Sequence, residues 1–297
     1  MKFTKMHGCG NDYIYINELT QPVTENKVEI VKRLCHRHFG IGGDGVIFIK
    51  ESKIADFEME MYNVDGTRAE MCGNGIRCVG KYVYEYDLTD KNMITIESFG
   101  KIKTLYMYVE KERRKVSTII VDMGSPILFG NNIPVLSQNG ELLAKKVIDS
   151  AITIEGIIYK MTCVSMGNPH AVVFVKDVDE VPVKEIGPLF ENHKRFPNRT
   201  NVEFVQVIDR RTIKMRVWER GSGETLACGT GSCAAVVACV LNNDTDNKVQ
   251  VNLRGGTLQV EWDRQGNLVF LSGGADVVFD GEIALYNDSI DESITYC

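Results

Sequence analysis

Polar and apolar residues alternate in two separated stretches, FEMEMYN at Phe57–Asn63 and IKMRVWE at Ile213–Glu219. A period of two marks a strand with one buried face, because successive side chains point to opposite sides of the sheet. Each stretch leads to a phrase of cysteine and glycine and then to a longer apolar run. The first phrase is MCGNGIRCVG (Met71–Gly80) and the second is ACGTGSCAAV (Ala227–Val236). The runs IRCVGKYVYEY and SCAAVVACVLN are apolar enough to be buried helices. Peripheral helices are expected over Glu25–Arg37 and Val183–Lys194. Hairpins follow: VNLRGGTLQVEW carries a Gly-Gly turn between two strand-like runs, and DRQGN turns the chain toward LVFLSG.

The landmarks recur at one spacing. Cys72 and Cys228 stand 156 positions apart, as do Gly100 and Gly256, while Asn11–Asn168 and Phe39–Phe196 are separated by 157. HGCGNDYIYIN resembles SMGNPHAVVFV, and ITIESFGKI aligns with QVNLRGGTL. Self-similarity at a fixed offset marks an internal repeat. Two copies of a domain of roughly 120–150 residues are therefore expected. Each runs strand, helix, strand, strand, Cys-Gly loop, helix and several further strands. The junction falls near Val121–Gly130, which sets an N-terminal domain at 1–121 and a C-terminal domain at 122–276. VVFDGEIAL is expected to return to the first domain as segment 277–285, leaving 286–297 as a polar tail.

The chain carries 34 basic and 40 acidic side chains, a net charge of −6, and no long basic run. That argues against nucleic acid or an anionic membrane as the main partner. No apolar stretch approaches the roughly 18–20 residues of a membrane span, and MKFTKMHGCGND lacks the apolar core of a secretory signal. A cytoplasmic location is expected. There the nine cysteines stay reduced, so they are read for chemistry rather than for disulfides. The spacings Cys72-x5-Cys78 and Cys228-x4-Cys233 do not match structural zinc pairs, and no metal is expected. Gly40–Gly45 satisfies G-x-G-x-x-G, but it follows a helix and enters a strand, the reverse of a dinucleotide fingerprint.

The glycines after Cys72 and Cys228 permit a tight strand-to-helix turn and close approach of a ligand. The first N–H groups of a helix lack internal partners and, with the helix dipole, form an anion site suited to a carboxylate. The same field lowers a thiol pKa, so both cysteines are expected to serve as bases near neutral pH. A pseudo-twofold axis would bring the two helix starts face to face, with one sulfur on each side of a bound Cα. Such a pair suits proton removal from one face and delivery to the other, with one thiolate and one thiol. A cysteine before a buried helix is more often a small core residue. Preservation of Cys-Gly-x-Gly in both copies favours chemistry here. Cys78, Cys233 and Cys239, within the apolar runs, are assigned to packing, as are Cys9, Cys35 and Cys163.

MHGCGNDYIYIN, YNVDGTRAEMCGNGIRC, SMGNPHAVVFV, FPNRTNVEFVQV and ERGSGETLACGTGSCAA resemble the bacterial diaminopimelate epimerases, with the likeness spread from Met1 to about Leu285. Proline racemases share the two-cysteine logic but typically carry His after the first Cys-Gly, where this chain has Asn74; PhzF-like isomerases share the duplicated fold without the cysteine pair. Joined to the repeat, the resemblance implies an α+β fold of two pseudo-symmetric domains. Each would be a mainly antiparallel curved sheet around a central helix, with the active site in the cleft between them.

The resemblance further implies a cofactor-independent isomerase that interconverts LL- and meso-2,6-diaminopimelate, on the route to lysine and peptidoglycan. Its partner would be that small molecule, with a homodimer as candidate assembly. Cys72 and Cys228 match the family's acid/base cysteines, and His170 and Glu219 match positions linked to catalysis around the reacting amine. Gly73, Asn74, Gly229 and Thr230 match the helix-start residues that hold the carboxylate. Asn11, Asn63, Asn168, Asn201, Glu219 and Arg220 match substrate contacts. Side-chain chemistry agrees, since the substrate is a zwitterion at both ends. The Arg220 fork suits a carboxylate, Glu219 an ammonium, and asparagines donate and accept at once. Two departures stand out: Cys9 replaces an aliphatic residue, with a liability to oxidation, and Gly45 replaces a glutamine of some relatives. A thiol redox protein and a binding module without chemistry are the competing classes.

Overall fold

The computed structural model describes residues 1–69 and 72–284. The proposed polar tail therefore lies outside the described residues. The first copy runs β1 (Lys2–Gly8), β2 (Asn11–Asn17), α1 (Lys27–Cys35), β3 (Gly45–Lys50), β4 (Phe57–Asn63), β5 (Arg68–Ala69), α2 (Gly73–Glu85), β6 (Met93–Ser98), β7 (Lys101–Glu110) and β8 (Lys115–Gly124). After β9 (Ser150–Ile154) the same order returns. The second copy runs β10 (Ile157–Ser165), β11 (Pro169–Phe174), α3 (Val183–Glu191), β12 (Asn201–Asp209), β13 (Thr212–Glu219), β14 (Gly223–Thr225), α4 (Gly229–Leu241), β15 (Lys248–Leu253), β16 (Gly256–Asp263) and β17 (Leu268–Gly273). The final strand is β18 (Asp276–Glu282).

The pairings repeat as faithfully as the order. β1–β2 and β10–β11 are antiparallel, β2–β3 and β11–β12 parallel, and β3–β4 and β12–β13 antiparallel. β4 and β13 then pair parallel with β6 and β15, and antiparallel hairpins continue to β8 and β17. Two strands are exchanged. β9, which follows the first copy, pairs with β10 of the second, and β18, which follows the second copy, pairs with β1 of the first. β8 and β17 pair antiparallel and join the two halves. β18 lies antiparallel beside the first strand of the chain.

Each half encloses one helix. α2 packs on β1, β2, β7 and β8, and α4 on β10, β11, β12, β15, β16 and β17. Both helices are buried along nearly their whole length, in one apolar core that runs through both halves. α1 and α3 cover the outer faces over two smaller cores. Strands between an inner and an outer helix are buried on both sides. In β12, Val202 and Phe204 face the α3 core, while Val205 faces the central one.

Three expectations need correction. The peripheral helices are shorter than Glu25–Arg37 and Val183–Lys194. The Asn26 side chain caps α1 by accepting from Val28 N–H at 3.0 Å, and α3 ends at Glu191. Each copy also opens with two strands rather than one. Cys9 and Gly10 take φ of 53° and 79°, which folds an apolar run into a tight turn, and Gly167 at 103° does the same in the second copy. The short strands β5 and β14 were likewise absent from the expected order.

Candidate functional site

Sulfur caps both central helices. Cys72 has extended backbone angles (φ −129°, ψ 115°), and its Sγ accepts from Gly75 N–H at 3.3 Å. Cys228 repeats the geometry (φ −124°, ψ 118°), accepting from Gly231 N–H at 3.4 Å. A side-chain acceptor at this position satisfies one of the orphan N–H groups of the first turn. The two starts meet. A Cβ built on Gly229 would lie 3.3 Å from the Gly73 Cα, and one built on Gly73 would lie 3.6 Å from the Gly229 Cα. A side chain on Gly229 would press on the backbone of the opposing helix start.

Burial alters the expected electrostatics. It pushes the Cys72 thiol up, against the pull of the Gly75 and Asn74 N–H groups; Glu219 adds to the rise and Arg77 opposes it. Cys228 is pushed up further, by burial first and then by the Glu219 and Glu203 carboxylates, with Thr230 and the Gly231 N–H opposing. The helix field is present, but removal from water outweighs it. Neither thiol is therefore a ready base in the unliganded site. Core cysteines without such donors fare no better: burial drives Cys78, Cys163 and Cys233 to about 12. Cys9, the supposed oxidation liability, is also raised by burial, which lowers its thiolate fraction.

On the Cys72 side, the thiol donates to Asn11 Oδ1 at 3.1 Å, and Asn11 Nδ2 donates to Asp44 at 2.8 Å. Asn74 reaches across the halves, donating to the Ala227 carbonyl at 3.3 Å and accepting from Arg77 at 2.9 Å. On the Cys228 side, the sulfur meets Thr230 Oγ1 at 3.5 Å, and Thr230 accepts from Asn168 Nδ2 at 3.3 Å. Asn168 Oδ1 lies 3.0 Å from His170 Nε2, and His170 Nδ1 lies 2.7 Å from Glu203. Glu219 accepts the Thr225 hydroxyl and is itself raised, chiefly by burial. Glu219 raises both thiols by its charge.

Cys72, Cys228, Gly73, Gly229, Asn11, Asn74, Asn168, His170, Thr230 and Glu219 thus come together. Asn201 lies beside His170 in the β11–β12 register, and its Oδ1 accepts the Arg220 backbone N–H at 2.9 Å. Two residues stand further out. Arg220 is exposed, its guanidinium donating to the Asn198 carbonyl at 2.9 Å, and Asn63 donates to Thr67 at 3.1 Å within its own turn. Sequence reasoning missed Glu203, Arg77, Tyr13 and Thr225. Arg77 is fully buried and donates to the Gly73 and Gly274 carbonyls as well as to Asn74. Gly45 admits no side chain: a Cβ there would lie 2.1 Å from the Tyr62 carbonyl oxygen and 2.7 Å from the Tyr13 ring. Among the described residues, no group of three or more His, Cys, Asp or Glu is placed to hold a metal ion.

Paired N–H-rich helix starts can bind a carboxylate, while two thiols and a buried carboxylate can handle protons and an ammonium. Known proteins agree. The diaminopimelate epimerase family model matches residues 3–129 and 162–278. A diaminopimelate epimerase of Agathobacter rectalis is 56% identical over 95% of this chain and 99% of its own length. One of Methanococcus maripaludis is 54% identical over 95% and 99%. Solved structures share the fold at lower identity. A PhzF-family phenazine biosynthesis protein of Bacillus anthracis superposes with a TM-score of 0.67 at 17% identity, covering 96% of this chain and 99% of that one. A hydroxyproline epimerase of Agrobacterium vitis gives 0.66 at 12% identity, over 96% and 91%. With the family model covering both halves and relatives more than half identical along nearly all of their length, the chain belongs to the diaminopimelate epimerase family.

Proposed function

We propose that the chain interconverts LL- and meso-2,6-diaminopimelate by a two-base route without a cofactor, within the biosynthesis of lysine and peptidoglycan precursors in the cytoplasm. The observation that carries the reading is the contact of two sulfur-capped helix starts, Gly73 against Gly229, beside one carboxylate, Glu219, that acts on both sulfurs. The site lies between halves 1–121, with 277–285, and 122–276.

In this reading, N–H groups of both helix starts and the Asn74 and Thr230 side chains hold the reacting carboxylate. Glu219 accepts the α-ammonium. Asn11, Asn63, Asn168, Asn201 and Arg220 hold the remaining polar ends, with Arg220 toward the distal carboxylate. One cysteine, as thiolate, takes the α-proton and becomes a thiol. The electron pair left on Cα is stabilised by the carboxylate in its N–H cradle. The other thiol then delivers its proton to the opposite face and becomes a thiolate. Protons and charge balance, and the next turnover in the same direction requires the two sulfurs to exchange states. Binding assists ionisation: an ammonium paired with Glu219 offsets the charge that pushes both thiols up.

The test is incubation with LL-substrate in D2O under reducing conditions, without cofactor. Meso-product should carry deuterium at the inverted carbon; unlabelled meso-product would refute a two-base route. Cys72→Ala and Cys228→Ala should each lose at least about a thousandfold in kcat, since general acid and base contributions run to roughly 10²–10⁴ apiece. Near-normal turnover in either variant would remove that cysteine from the mechanism.

A further inference from the structure

The duplication is broken at one internal pair. Under the repeat offset, Tyr13 and Ile47 of the first half occupy the places of His170 and Glu203 in the second. The strand registers agree, with Tyr13 opposite Gly45 on β2–β3 and His170 opposite Asn201 on β11–β12. Ile47 and Glu203 also do the same steric job. Each fills the space that a Cβ would need on the third residue of Cys-Gly-x-Gly: Ile47 Cδ1 would lie 2.8 Å from one on Gly75, and Glu203 Oε1 2.6 Å from one on Gly231. The fold is therefore content with an aliphatic side chain under the first turn of a central helix. In the second half it holds a carboxylate there, with no exposed surface and with Oε2 lacking a hydrogen-bond partner. A buried charge with an unmatched oxygen is costly.

The hydrogen bonds give that cost a direction. Both His170 ring nitrogens lie within hydrogen-bond distance of side-chain oxygens, Glu203 Oε1 at 2.7 Å and Asn168 Oδ1 at 3.0 Å, an arrangement that a ring donating from both nitrogens would satisfy. The Asn168 amide is thereby turned with its Nδ2 toward Thr230 Oγ1 at 3.3 Å. Thr230, having accepted, has its hydroxyl proton free for the Cys228 sulfur 3.5 Å away. With His170 donating to Asn168, the chain His170–Asn168–Thr230 can end in a donor to Cys228. The first half has no such chain, because the Cys72 thiol itself donates to Asn11.

We propose that Glu203 is a positioning residue for Cys228: it holds His170 as a donor on both nitrogens, which fixes Asn168 and aims the Thr230 hydroxyl at the sulfur. Glu203 does not itself touch the substrate. The Glu203 carboxylate also raises the Cys228 thiol by its charge, which a donor chain ending on the sulfur opposes. The titratable groups that act on that sulfur are Glu219 on β13 and Glu203 on β12. This assignment rests on the epimerase reading.

Three measurements on the full chain test it. Glu203→Gln keeps the shape, and Glu203→Ile imports the residue that the first half uses. In both, kcat should fall about 10- to 100-fold, the usual cost of losing an outer partner that orients an inner group, with KM changed less than threefold. Site-resolved alkylation by iodoacetamide should slow at Cys228 by about fivefold, the worth of one hydrogen bond, and stay constant at Cys72. Ring ¹⁵N shifts of His170 at neutral pH should show two protonated nitrogens in the wild type and one in Glu203→Gln. Wild-type kcat in Glu203→Ile, equal slowing at both cysteines, or a singly protonated ring in the wild type would each overturn the proposal. An inactive wild type would sink the epimerase reading instead, and the alkylation and ¹⁵N results would still judge Glu203.

Discussion

Gly229→Ala adds one methyl group where two backbones touch. The new carbon would stand 3.3 Å from the Gly73 Cα and 3.1 Å from Leu271 Cδ2. The leucine methyl is the end of a flexible side chain and can rotate away. The Gly73 Cα cannot move without carrying α2 with it. Carbon–carbon contacts relax at about 3.5–4.0 Å, so the helix starts must separate by roughly 0.2–0.7 Å. A misplacement of about 1 Å at reacting groups can cost roughly a hundredfold, which puts the expected loss in kcat near tenfold. Stability should change little. Alanine gains up to ~1 kcal/mol of helix propensity over glycine, and overpacking costs about 1–3 kcal/mol. A net loss of ~0–2 kcal/mol leaves the chain folded. The assay is the rate of deuterium uptake into meso-product, run beside urea unfolding of the same sample. Gly274→Ala is the control, because a Cβ there meets nothing within 4 Å. Full activity in Gly229→Ala would refute the claim that the spacing of the helix starts sets the rate. A loss no greater than the unfolded fraction would refute it equally.

Alkaline pH should unfold the protein steeply. Cys78, Cys163 and Cys233 are held at about 12, above the ordinary value of 9.0, so the folded state keeps protons that the unfolded chain releases. Their stabilisation is complete below the unfolded value and is lost as pH rises toward the folded one, at about 1.4 kcal/mol per unit for each thiol. Urea midpoints under reductant should fall from pH 9 to 11; a flat profile would mean that these thiols ionise in place. Thr225→Val removes the hydroxyl that donates to Glu219 and should raise KM about fivefold with the fold intact, read from initial rates. Arg77→Met strips donors from the Gly73 and Gly274 carbonyls and from Asn74, and should cost about 3 kcal/mol in urea unfolding.

What the sequence made legible was local or repeated. Cys-Gly-x-Gly before an apolar run is a helix start that needs only its own residues, and α2 and α4 begin where it stands. The offset between the copies is arithmetic, and the repeated pairings follow it. What escaped depends on contacts distant along the chain. The exact register of β18 on β1, with its shift between Lys5 and Met6, is set across almost the whole length of the chain. α3 and α4 cover both faces of β12 and bury Glu203, which the residues of NVEFVQV by themselves do not announce. Arg77 shares its helix with Lys81 and Glu85, so its full burial was hidden for the same reason. The thiol pKa values were misjudged in sign because the helix field is a property of the motif, whereas burial is a property of everything packed around it.

Duplication and stereochemistry make opposite demands on this fold. In the proposed mechanism, two copies of one capped helix, placed start to start, supply opposed sulfurs and a shared cradle of N–H groups. A strictly symmetric site would give both thiols one proton affinity, so nothing would decide which carries the proton. The departures from symmetry are concentrated at that point. Glu219 replaces the neutral Asn63, His170 replaces Tyr13 and Glu203 replaces Ile47, all in the second half. Both carboxylates lie nearer in effect to Cys228, whose thiol is raised further than that of Cys72. The same half carries the donor chain through Thr230 that can support a Cys228 thiolate once a substrate ammonium has paired with Glu219. In the proposed mechanism the repeat thus builds the geometry, and three substitutions within it bias the resting proton toward Cys228.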